Sequence, residues 1–188
     1  LSVFRAIEYK KQKGKEAYME LPHYIGIELS GLKMAMGRAL DSLTRQEVTW
    51  RPASGCNSIG LILLHVTRSE DSFIQGLLQK KPQIWVSEKW HEKVGLPAEE
   101  EGAHYTVDQV NAFEVPELSS IMSYYDAVRA KTKEHLRAMK AEDFDKKVSF
   151  PNYGELPVSA VFSLLVSHTS QHIGEIGYLR GLQRGMDK

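Results

Sequence analysis

The sequence is nearly without cysteine. Cys56 is the only one in 188 residues, which excludes an intrachain disulfide and a cysteine-based zinc site and fits a reducing, cytoplasmic setting. Net charge is absent too: 24 Lys and Arg balance 24 Asp and Glu. Domains that grip nucleic acid by its phosphates are usually basic, so nucleic acid is not an expected partner. No run is long and apolar enough to suggest a membrane span. Leu156 to Gly174 carries no Asp, Glu, Lys or Arg, but a spanning helix needs about 20 predominantly apolar residues. This stretch is interrupted by Ser159, Ser163, Ser167, His168, Gln171 and His172. It reads as a buried helix of a soluble protein with polar work to do. Leu1 to Lys15 is charged from Arg5 onward and lacks the apolar core of an export signal. The start on Leu1, with no initiator Met, is expected of a trimmed or processed sequence.

What the chain does have is helical periodicity. Ile25, Leu29, Leu32, Met36, Ala39 or Leu40, and Leu43 step by threes and fours, which predicts a helix over 22–43 with Pro22 in its first turn. A second helix is expected over 58–79, capped by Asn57 or Ser58 and stopped before Pro82. Its run Leu61 to Leu64 is apolar nearly all round, so this helix should be central. Leu118, Tyr125, Val128 and Leu136 predict a third over 117–140, with Thr132 a mild interruption. Val158, Leu165, Ile176 and Leu179 predict a fourth over 158–183. Between them, 44–57 and 141–157 carry turn residues, and 80–116 is a long connection in which Trp85 and Trp90 should pin short helical turns. Pro97 to Gly102 reads as exposed. The expectation is an all-α four-helix bundle around one core, with long connections between helices 1 and 2 and helices 2 and 3. Residues 1–21 form an N-terminal extension and 22–188 the bundle domain.

Two histidines lie inside the fourth apolar stripe. His168 and His172 are four residues apart, one above the other on the face that points to the core. A buried imidazole with unmet ring nitrogens costs on the order of 1 to 3 kcal/mol. Two readings are open: each ring bonds a core carbonyl or hydroxyl, or the pair shares a metal ion. His65, within the apolar run Leu61 to Val66 of the second helix, could complete a three-histidine site.

Other residues carry weaker signals. Cys56 precedes a helix start, which can lower a thiol pKa. Ser69 and Ser72 follow His65 by four and seven residues and could share its cavity. Trp50 is expected to pack a loop over the helices, and Arg180 to sit at a solvated helix end or meet an anionic substrate. His23, His91, His104 and His135 fall in loops or on polar faces and are expected at the surface.

The residues Leu43-Thr44 through Trp50-Arg51-Pro52, then Asn57-Ser58-Ile59-Gly60 leading to His65, and His168 to Arg180 with His172, Gly174 and Glu175, together resemble the DinB superfamily of four-helix metal-binding proteins. The likeness runs from about Pro22 to Arg184. It implies that His65, His168 and His172 bind a divalent metal, with Zn or Ni suited to the donors. It also implies a soluble homodimer acting on a small-molecule substrate. Some members are thiol-dependent transferases or isomerases, which implies a low-molecular-weight thiol as cosubstrate. Glu175 departs from the family's usual Gln. It is a candidate fourth ligand, general base, or carboxylate orienting a histidine, or else a solvated carboxylate at the rim, and it is the one catalytic candidate. Metal-assisted thiol transfer is the first expected activity, and metal-dependent hydrolysis with Glu175 as base the second. The alternatives are a non-catalytic, stress-related metal- or ligand-binding bundle and a purely structural set of buried histidines.

Overall fold

The computed structural model describes residues 19–151 and 153–185. Most of the expected extension, 1–18, lies outside the described residues. Four long helical segments carry the architecture: α1 (Leu21–Leu40), α3 (Ile59–Asp71) with its π-helical continuation Ser72–Leu78, α7 (Leu118–Ala138) and α8 (Val158–Arg184). Helix α1 runs along α8, and α3 packs on both α7 and α8. Among the described residues no helix is long and apolar enough to cross a membrane.

Local chemistry sets the helix ends. Ser58 caps α3, its Oγ accepting from Leu61 N at 3.3 Å. Helix α1 stops at Leu40, three residues short of expectation, where Ser42 takes a positive φ of 55°. Arg180 reaches across from α8 and donates to the carbonyls of Asp41 (2.6 Å) and Ala39 (3.3 Å). It therefore closes the end of α1 through Nη1.

The connections hold more structure than expected. Residues 44–57 contain α2 (Arg45–Thr49), opened by a reciprocal cap in which Thr44 Oγ1 accepts from Glu47 N and Glu47 accepts from Thr44 N. Arg184 at the end of α8 pairs with the same carboxylate. The 80–116 connection contains α4 (Ile84–Ser87), α5 (Trp90–Val94) and α6 (Val107–Ala112). Trp85 is fully buried and Trp90 half-buried, and both rings pack against Tyr124 of α7. At Gly60 a Cβ would stand 2.2 Å from Val115 Cγ1, so glycine lets the end of this connection lie on α3.

The all-α expectation describes the body and misses one ribbon. Within 141–157, a 3₁₀ turn (Ala141–Asp145) leads into an antiparallel hairpin of β1 (Lys147–Phe150) and β2 (Gly154–Pro157). Lys147 pairs with Pro157 and Phe150 with Gly154. Strands of four residues are too short for a two-residue period to stand out in the sequence.

The single expected core is in fact two clusters. Met36, Leu40, Leu63, Tyr125 and Ile176 belong to one. Ile25, Leu29, Ile74, Leu136 and Phe162 belong to the other. Each long helical segment contributes to both, and polar residues occupy its middle: Thr67, Glu70 and Asp71 on α3, Arg129 and Thr132 on α7, His168 and Thr169 on α8. Glu70, fully buried, accepts from Arg129 Nη2 at 2.7 Å and Thr132 Oγ1 at 2.6 Å. Arg129 also donates to Leu29 O of α1 at 2.8 Å. This bonded layer joins three helices where apolar packing is interrupted, and it is the level at which His168 enters from α8.

Candidate metal centre

Helical spacing stacks His168 and His172 on α8, and the packing of α3 on α8 brings His65 to them. The Nε2 atom of His168 lies 3.1 Å from Nε2 of His65 and 3.2 Å from Nε2 of His172. The three rings meet edge to face, with centroids 4.5 to 5.0 Å apart. Among the described residues these three histidines are the one group of His, Cys, Asp and Glu side chains placed to hold a metal ion.

The outer nitrogens decide the inner ones. His65 Nδ1 lies 2.9 Å from the carbonyl of Gly102. A carbonyl can only accept, so Nδ1 carries the proton and Nε2 presents a lone pair. His172 Nδ1 lies 2.7 Å from Glu175 Oε2 and is likewise the donor, so in the neutral ring its Nε2 also presents a lone pair. Both lone pairs face His168 Nε2. That nitrogen carries at most one proton and can donate to one of them. With protons alone one of the two Nε2–Nε2 contacts is therefore left without a hydrogen bond, and a cation shared by the three nitrogens removes the conflict. Ligand nitrogens on a tetrahedral zinc at about 2.0–2.1 Å lie about 3.3–3.4 Å apart, close to the spacings found here. The donor set and its outer partners fit a divalent ion.

Burial favours the neutral, ligating form. It pushes the His65 imidazole below its ordinary range, an effect that the Gly102 hydrogen bond opposes in part. His168 is pushed down to about 4, first by burial and then by the neighbouring His172 and His65. His168 Nδ1 is buried without a partner among the described residues, so it alone of the three lacks an outer anchor.

The other candidates fall outside this triangle. Glu175, half exposed, contacts His172 through its outer nitrogen. Ser69 and Ser72 are half-buried on the helix of His65 and bond none of the three histidines among the described residues. Cys56 lines an open groove of ≈ 630 Å³ whose walls also include Ile62, Gln171, Glu175 and Tyr178. Trp50 packs against the larger core cluster. His23 and His104 are exposed, while His91 and His135 are half-buried, and none of them joins the site.

Sequence reasoning missed the connection's part in the site. Gly102, expected to be exposed, is buried against α3, and its carbonyl is the partner of His65. The available signal was a glycine in a charged loop, which here adopts φ +71°. Arg68, Glu70 and Asp71 were a second signal, because charges directly after an apolar helical run must be paired or exposed.

Comparison with known proteins adds the family. A structure described as a conserved protein of locus from Enterococcus faecalis is similar at a TM-score of 0.79 and 23% identity, over 90% of this chain and 100% of that one. A DinB-like protein from Bacillus cereus ATCC 10987 is similar at a TM-score of 0.59 and 19% identity, over 90% of this chain and 95% of its own. These likenesses establish the fold. No curated protein gives a significant match. The DinB superfamily profile matches residues 29–176, and the chain belongs to that superfamily.

Proposed function

We propose that this DinB-superfamily protein is a four-helix-bundle metalloenzyme in which His65, His168 and His172 hold one divalent ion, zinc or nickel. The observation that carries the reading is the pair of Nε2 lone pairs, fixed by Gly102 O and Glu175, that converge on His168 Nε2. Three protein ligands leave coordination positions open, whereas structural zinc sites are usually closed by four. An ion so held lowers the pKa of a bound thiol or water and polarises carbonyl groups. The residues' own part is to stay neutral, keep their rings fixed and face one point.

The reaction proposed is transfer of a low-molecular-weight thiol to a small electrophile. Hydrolysis is the second reading, with Glu175, whose carboxylate accepts from His172 Nδ1, as the base. Conjugation of a model electrophile by the untagged protein, with and without chelator, tests the first. Chelator-sensitive conjugation supports it. Metal binding with no conjugation or hydrolysis would instead leave a non-catalytic metal-binding protein.

The protein is further proposed to act in the cytoplasm as a homodimer. Tyr24, Ile27 and Met34 leave an exposed apolar line on α1, and Tyr178 and Leu182 expose apolar surface on the adjoining α8. Sedimentation at micromolar concentration should show a dimer, and a monomer would reject this assembly.

A further inference from the structure

We infer that Glu100 is a positioning residue for the metal centre: from the long connection it sets the backbone carbonyl that orients His65. The inference rests on the metal-site reading above.

The chain of contacts begins one turn beyond His65. Arg68 is nearly buried and donates from Nε to Glu100 O at 3.1 Å and from Nη1 to Gln83 Oε1 at 2.6 Å. Its guanidinium lies over the Trp85 ring, 4.7 Å from the centroid. Asp71 accepts from Ile84 N, Trp85 N and Tyr124 Oη at 3.1, 3.0 and 2.7 Å. Helix α3 thus grips both the start of the connection and the backbone at Glu100.

The Glu100 side chain does the rest. Its Oε1 accepts from Gly102 N at 2.8 Å and from Tyr105 Oη at 2.5 Å. This closes a tight turn in which Gly102 adopts φ +71°, and the Gly102 carbonyl meets His65 Nδ1 at 2.9 Å. A Cβ at 102 would stand 2.9 Å from Arg68 Cγ and 3.6 Å from His65 Cα, so the turn approaches the helix as closely as glycine allows. Here the fold-back fixes the one carbonyl that selects the His65 tautomer. Outer partners of metal-bound histidines act in this way, by fixing tautomer and ring orientation.

The test uses Co²⁺ as the probe on the full chain, with affinity read from its visible absorption and tautomers from nitrogen NMR of the metal-free imidazoles. Glu100→Ala should weaken Co²⁺ binding roughly 10- to 100-fold and turn His65 from the Nδ1–H form into a mixture. Glu100→Gln, which keeps an acceptor oxygen, should recover most of the affinity. Tyr105→Phe removes one hydroxyl without disturbing the turn and should give a smaller loss of the same kind. Unchanged affinity and tautomer in Glu100→Ala would overturn the proposal. So would an affinity loss that tracks melting temperature while the His65 tautomer stays fixed. Wild-type protein that takes no Co²⁺ would defeat the metal-site reading instead, and the tautomer measurement would still decide the role of Glu100.

Discussion

Replacing Arg129 with Met should cost about 3–5 kcal/mol, the usual penalty for removing one partner of a buried ion pair. The structure supplies the reason. Glu70 is 0% exposed and Arg129 1%, so no water is at hand to replace the lost cation. In the variant, Glu70 would keep the Thr132 hydroxyl as its one donor, and α1 would lose its tie through Leu29 O. For a domain of this size that penalty lowers the melting temperature by about 6–20 °C. Guanidinium unfolding at pH 7 gives the free energy directly. Replacing both residues with Met should recover most of the loss, since a buried pair exchanged for apolar groups of similar volume is often neutral. A single variant that loses under 1 kcal/mol, or a double variant as unstable as the single, would refute the account of this layer.

Three further outcomes follow from the same geometry. Gly102→Ala forces a left-handed backbone and a contact with Arg68, which should destabilise the protein by about 1–3 kcal/mol and weaken metal binding, read by chemical unfolding and metal titration. Glu175→Ala should reduce metal affinity roughly 10-fold, whereas Glu175→Gln, which still offers His172 an acceptor, should stay near wild type. In the metal-free protein, His65 and His168 hold their folded pKa values below the unfolded value of about 6.5. The unfolded chain therefore binds more protons between about pH 4 and 6.5, and stability should rise with pH across that window. Unfolding at several pH values checks the sign, and a fall with rising pH would contradict it.

Much of the site was legible because helices carry their own ruler. His168 and His172 had to share a face at a spacing of four, and His65 had to be internal in so apolar a run. The four long segments showed the same period. The parts that were not legible are those where backbone atoms or distant pairings decide. Gly102 contributes a carbonyl, which every residue possesses, so nothing in its identity names His65 as partner. Thr44 and Glu47 formed a readable cap, but Pro52, Ser54 and Gly55 nearby favoured a loop. Glu70 and Arg129 are buried only because each finds the other across 59 residues of chain. The hairpin at 147–157 docks Phe150 against Phe73, a contact with ring centroids 5.3 Å apart that no local pattern announces.

Elemental analysis of protein purified without an affinity tag, beside a His172→Ala variant, tests the central claim most directly. The account predicts about one zinc or nickel ion per wild-type chain, lost from a His172→Ala protein whose helical circular dichroism is intact. Wild-type protein that neither carries nor takes up a divalent ion, or a His172→Ala protein with undiminished metal, would contradict it and leave three half-buried histidines with a purely structural role.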